Sequence, residues 1–176
     1  MKVLKWLFIG IAGLALVVVA VGFALPSSYM VTRSVDINAA PDKVYPLIAD
    51  PKAWAKWGVW SERDPAMKTT YSGAPEGQGA KWAWESKSEG NGSMEFTRAE
   101  PGKALEYALS FPDMGMKSKG ALLLEPAGAA TRVTWTNAGD VGGNPLMHYF
   151  AVMMDDLVGP DFDKGLANLK ALAEKP

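Results

Sequence analysis

The chain has 176 residues, 48% of them hydrophobic and 21% charged, which fits one ordinary globular domain and excludes a disordered chain. A formal net charge of −1 leaves no basic excess to neutralise phosphates, so nucleic acid is excluded as a partner. Cysteine is absent and His148 is the sole histidine, which removes disulfides, thiolate metal sites, cysteine nucleophiles and any mechanism needing two imidazoles.

Trp6 to Leu25 is an uncharged run closed by Pro26. As a helix it rises about 30 Å, the thickness of a bilayer's hydrocarbon core. A cleaved secretory signal has a shorter apolar core of about 7–15 residues. The run is therefore read as a retained transmembrane signal-anchor, residues 1–26, with a cleaved signal as the alternative. Lys2 and Lys5 precede it and favour a cytoplasmic N-terminus, which puts residues 27–176 outside: a single-pass protein of a bacterial inner membrane, its domain in the periplasm. Beyond Lys5 acids outnumber bases, so no polybasic surface supplements the anchor.

Tyr29 to Ile37 alternates as a strand, with Tyr29, Val31, Arg33, Val35 and Ile37 on one face. Pro41 followed by Asp42 opens a helix, and a second short one begins at Pro51 and carries Trp54 and Trp57. From Ala66 to Gly139 the period is two. Trp82 with Trp84, Met94 with Phe96, Leu105 through Phe111, Leu122 with Leu124, and Val133 with Trp135 form successive apolar faces. Asn91-Gly92 predicts a tight hairpin turn with positive φ at both residues. Asn144-Pro145 caps and starts a C-terminal helix, along which Met147, Phe150, Ala151, Met154, Leu157 and Val158 recur at helical spacing. Gly159-Pro160 predicts a kink or a fresh start, after which Phe162, Leu166, Leu169 and Ala173 continue the stripe. Alternation with one greasy and one wet face means an antiparallel sheet, and the helix must cover the greasy face. The order strand, two short helices, about six strands and a long helix gives an α+β fold.

Three stretches sharpen this: VDINAAPDKVYPLIADPKAWAKW (35–57), WSERDPAMKTTYSGAPEGQGAKWAWES (60–86) and LVGPDFDKGLANLKALAE (157–174). With the order of elements, they resemble the SRPBCC superfamily (START and polyketide-cyclase-like proteins), in particular its membrane-anchored bacterial members. The resemblance covers residues 29–175. It implies a helix-grip fold, a curved antiparallel sheet wrapped around the long C-terminal helix, with a ligand pocket where sheet and helix do not fully meet. It carries over no catalytic residue.

On that expectation Trp82, Trp84, Phe96, Tyr107 and Trp135 of the sheet, with Phe150 and Met154 of the helix, line the pocket, against the plainer reading that they are ordinary core. Strict alternation from Met94 and Phe96 turns Arg98 inward, where it would clamp an anionic head group, although a bulge near the strand end would release it. Asn137 and Tyr107 are weaker polar candidates. Trp54, Trp57 and Trp60 either guard the pocket mouth, dip toward the bilayer or support the short helices. His148 falls off the helix stripe and reads as a surface or packing residue. Asp155, Asp156, Asp161 and Asp163 read as a solvated face, because the ordered donors of a calcium loop are missing. Glu62, Arg63 and Asp64 read as a charged surface turn. No residue pattern calls for a metal or another cofactor, and no nucleophile has the setting of a catalytic serine. The chain is thus expected to be a membrane-tethered binder of a hydrophobic or amphipathic, lipid-like small molecule. The alternatives are a cyclase- or dehydratase-type enzyme and an envelope accessory protein.

Overall fold

A computed structural model describes residues 2–175, with side-chain detail for residues 3–175. Helix α1 (Lys2–Ala24) is followed by strand β1 (Ser28–Ile37), the short helices α2 (Pro41–Ala49), α3 (Pro51–Trp57) and α4 (Val59–Arg63), six strands, and helix α5 (Pro145–Ala173). The six are β2 (Lys68–Gly73), β3 (Ala80–Glu85), β4 (Gly92–Glu100), β5 (Ala104–Phe111), β6 (Met116–Ala127) and β7 (Ala130–Asp140). All seven strands form one antiparallel sheet in the order β1-β7-β6-β5-β4-β3-β2. This is the α+β architecture expected from the alternation and the closing helix, in the helix-grip arrangement that the resemblance implies.

Alternation decides which side of the sheet is core. In β1 Val31 and Ile37 are buried while Met30, Thr32 and Asp36 are exposed. In β7 Thr131, Val133, Trp135 and Asn137 are buried in turn. The inward faces of β5 and β6 add Leu105, Tyr107, Leu122 and Leu124. Helix α5 lies across this face, buries Met154, Phe162, Leu166 and Leu169, and stacks Phe162 flat on Trp135, ring centroids 3.9 Å apart and planes 7° from parallel. Asn144 caps α5 by accepting from the backbone N–H of Leu146 at 3.0 Å, as read from Asn144-Pro145.

Three local expectations are corrected. Helix α5 runs through Gly159-Pro160 without a break. Gly159 is buried there because the Arg33 guanidinium fills the place a Cβ would occupy, so this glycine serves helix–strand packing. Asn91-Gly92 is not a two-residue turn. The connection runs from Ser86 to Asn91, positive φ falls on Gly90 (+76°), and Gly92 is already in β4 beneath the Trp84 ring, where a side chain would collide. Asp155, Asp156 and Asp163 of α5 are exposed, as a solvated face requires, and three of the helix's four acids are also paired: Arg33 bonds Asp155 through both guanidinium Nη atoms and Asp163 through Nε, and Arg63 holds Asp161 at 2.7 Å. Residues 62–63 end helix α4 rather than forming a bare turn, and Arg63 also grips Glu89 at 2.8 Å.

Helix α1 is long and apolar enough, from Val3 to Ala24, to cross a membrane, a property shared by anchors and signal sequences. Its last turns touch the start of α5. Gly22 packs directly on the Pro145 backbone, and Tyr149 Oη donates to the Val18 carbonyl at 2.8 Å. His148 is buried here rather than at the surface, its Nδ1 2.8 Å from the Gly22 carbonyl oxygen and its Nε2 2.9 Å from that of Gly142.

Candidate functional site

Sheet and α5 do not close on each other completely. Between them lies a cavity of about 370 Å³, walled by Trp82, Trp84, Met94, Tyr107 and Leu109 from the sheet and by Phe150, Met154, Leu157 and Phe162 from α5. Trp54 and Trp60 form its roof, and Met67, Met114 and Met116 stand around it. The size falls within the range of small-molecule sites, and a wall of methionine and aromatic rings adapts to varied apolar shapes. A larger groove of about 820 Å³ crosses the outer face of the sheet, floored by Ala83, Ser93, Ala108, Ser110 and Ala138. It is a broad trough on one face of the sheet, whereas the inner cavity is walled by sheet and helix together, so the inner cavity is the candidate site.

Of the eight residues expected to bind ligand, six line this cavity: Trp82, Trp84, Tyr107, Trp135, Phe150 and Met154. Phe96 does not. It is fully buried behind Trp54 and Trp82, at centroid distances of 5.8 and 5.2 Å, and supports them from the core side. Arg98 points out of the barrel-like wall altogether. The β4–β5 register shifts between Phe96 and Arg98, so Phe96 faces Tyr107 but Arg98 faces Glu106. One extra residue flips the alternation, and the Arg98 side chain ends up 60% exposed, paired with Glu106 at 3.0 Å and with Glu100. An inward clamp at this position is thereby excluded.

The short helices contribute more than their sequence suggested. Trp54 is buried at the centre of the aromatic cluster, 4.6 Å from Trp57 and 5.7 Å from Trp135, and its indole N–H donates to the Ile48 carbonyl. Trp57 is fully buried and donates to the Leu47 carbonyl. Both are core and neither is exposed to bilayer or solvent; Trp54 also lines the cavity, as does Trp60, half-buried against Trp135, whereas Trp57 does not. The threefold spacing of these tryptophans marked them, and only the packing of α3 against β3 and α5 separates their roles.

One end of the cavity is polar. Trp135 Nε1 and Asn137 Nδ2 both donate to Tyr107 Oη, at 3.0 and 3.2 Å, and Tyr107 in turn donates to the Thr136 carbonyl at 3.2 Å. Asn137 Nδ2 also reaches Ser118 Oγ at 3.2 Å. All of the phenol's donor and acceptor positions are therefore taken. Burial pushes the Tyr107 phenol up to about 12, so it keeps its proton and is no general base. Tyr29, at the same end, is likewise raised by burial, partly offset by its hydrogen bond to Ser118. The remaining ionisable groups that line the cavity are Tyr71, Lys117, and Glu89 and Asp161, which share an ion pair with Arg63. Ser118 and Asn137 were the polar positions the sequence undervalued; their place on inward faces of β6 and β7 was the available signal.

The model of the family described as polyketide cyclase / dehydrase and lipid transport matches residues 29–174. The uncharacterized protein Rv2574 of Mycobacterium tuberculosis is 25% identical over 144 residues, covering 78% of this chain and 82% of its own. Among solved structures, protein CV1439 from Chromobacterium violaceum superposes with a TM-score of 0.61 at 18% identity, over 84% of this chain and 98% of its own. Protein MLL2253 from Mesorhizobium loti does so with a TM-score of 0.60 at 16% identity, over 81% and 95%. At such identities the structural likeness speaks for the fold alone.

Proposed function

The chain belongs to the polyketide cyclase / dehydrase and lipid transport family, and on that premise we propose that it binds a hydrophobic or amphipathic, lipid-like small molecule in the cavity between sheet and α5. The observation that carries this reading is the wall itself. Indole, phenyl and thioether groups enclose the space, and its one polar end offers neutral hydrogen-bonding groups around Ser118 and Asn137 rather than a charge. A tail in the apolar part and a hydroxyl or carbonyl at the polar end would satisfy both. The acids that line the cavity are held by Arg63 and the buried phenol is fully bonded, which supports binding over acid–base catalysis. In this reading α1 is a retained anchor that keeps the cavity beside the membrane, with residues 27–176 outside the cytoplasm.

The test is native mass spectrometry of residues 27–176 purified from the host, followed by extraction of what copurifies. An apolar compound in stoichiometric amount is expected. A domain that carries none and binds no acyl chain refutes the carrier reading, and turnover of the copurified compound replaces it with an enzyme.

A further inference from the structure

The N-terminal half of α5 carries an apolar stripe that the fold leaves uncovered. Leu146, Phe150, Met153 and Leu157, spaced by four, three and four residues, are each 51–52% exposed. Such spacing puts them on one line along the helix. On one side of that line lies the face that meets α1, through Pro145, His148 and Tyr149. On the other lies the face that walls the cavity, through Met154 and Val158, and the stripe's own Phe150 and Leu157 also line the cavity. The stripe thus runs between the apolar helix α1 and the opening of the binding space.

Depth follows from the α1 contacts. Tyr149 bonds the carbonyl of Val18, six residues before the end of α1, which is about 9 Å of helix rise. If α1 spans a bilayer, the first turns of α5 lie level with its outermost turns, at the boundary between head groups and acyl chains. Interfacial amphipathic helices bury their apolar face about 5–10 Å into this layer. The charged residues of this half-helix, Asp155 and Asp156, lie to one side of the stripe, with Asp155 turned to Arg33. It has no lysine or arginine, so contact with lipid rests on apolar burial and not on attraction to anionic head groups.

We propose that this stripe is seated in the outer boundary of the bilayer that α1 crosses, so that the cavity opens onto the acyl layer and takes its ligand from the membrane without passage through water. The proposal rests on the reading of α1 as a retained anchor and of the cavity as a lipid-like binding space. The chain's lack of cysteine allows Leu146→Cys and Met153→Cys to be labelled singly in the full-length protein with a polarity-sensitive fluorophore. Neither residue lines the cavity. In phosphatidylcholine vesicles containing lipid with a nitroxide near the head-group end of its acyl chain, both labels should be quenched several-fold more than a label at Lys170→Cys or Lys119→Cys. The same samples are floated after carbonate washing to test the anchor separately. Floating protein with unquenched labels overturns the proposal and leaves the anchor; protein that does not float overturns both. Labels shielded from lipid that couple to one another show a second copy on the stripe, and quenching that requires anionic lipid shows an electrostatic contact; either result overturns the proposal. A functional arm uses Leu146→Glu with Met153→Glu in the full chain. Uptake of a fluorescent fatty acid from vesicles should slow several-fold, while uptake of the same fatty acid as a monomer in solution stays unchanged. Equal vesicle uptake overturns the proposal, and loss of monomer uptake in the unmutated chain overturns the cavity reading and the proposal with it.

Discussion

Replacing Phe162 with alanine removes the ring that stacks 3.9 Å above Trp135 and forms part of the cavity wall. Phe162 is 3% exposed, so the change deletes a buried phenyl. Phe→Ala in a core costs about 3–5 kcal/mol, and for a chain of this size that lowers Tm by on the order of 10 °C. The space it leaves adjoins the existing cavity, so it is open to a ligand. Each methylene that fills new apolar space contributes about 0.8 kcal/mol, so two of them tighten binding by about tenfold. In a series of saturated fatty acids, titrated by tryptophan fluorescence, affinity in the unmutated protein should rise with chain length to a limit. Phe162→Ala should move that limit to longer chains, and the longest ligands should restore part of the lost Tm. A fall in Tm with an unmoved limit would refute the assignment of this wall to the binding space, and an unchanged Tm would refute the stack.

Other outcomes follow from the same contacts. Leu166→Ala should cost about 2–5 kcal/mol by denaturant unfolding, because Leu166 is 2% exposed under the sheet. Lys170→Ala, which gives up a surface hydrogen bond to the Asp36 carbonyl, should cost under about 1 kcal/mol. Arg98→Ala should leave the affinity for anionic and neutral amphiphiles alike unchanged, since the side chain faces solvent; selective loss of anionic ligands would contradict the bulge. The hydrogen bond from Arg33 holds the Asp155 carboxyl below its ordinary range. A depressed carboxyl adds stability that is complete above its unfolded-state pKa, about 4, and is lost as pH falls through the lower folded value. Acid unfolding of Asp155→Asn should therefore begin from a lower plateau with a shallower slope below about pH 4 than that of the unmutated chain, and identical slopes would refute the pair's role. Protease added to intact spheroplasts should remove a C-terminal tag; a tag that survives until lysis would reverse the topology.

Periodicity made most of this fold legible. Where a strand is regular, as in β1 or β7, period two reads out burial residue by residue, because opposite faces meet water and core. It fails at Arg98 because a bulge adds one residue without changing composition, so nothing local announces the flip. Gly159-Pro160 misleads for a related reason. Local propensity opposes the helix there, but packing on Arg33 and the sheet overrides it. Trp54 and Trp57 were visible as aromatics but not as core, since the short helices that carry them obtain their burial from a sheet far away in sequence. Phe150 reached the cavity as expected yet remains half-exposed, because a residue at an opening has one side in each environment. His148 could not be placed at all without α1, whose Gly22 carbonyl it meets.

The aromatic core also has an optical consequence. Trp54 stands within 6 Å of Trp57, Trp82 and Trp135, and Trp60 is 6.0 Å from Trp135. Indoles this close, at tilted or edge-on angles, are placed to share excitation, so the set should absorb and emit as a coupled chromophore and show near-ultraviolet circular dichroism. A quencher that touches only Trp60 or Trp82 drains light collected by the buried Trp57. Occupancy of the cavity is thereby broadcast through the whole cluster, and removal of any one indole alters the signal of the rest.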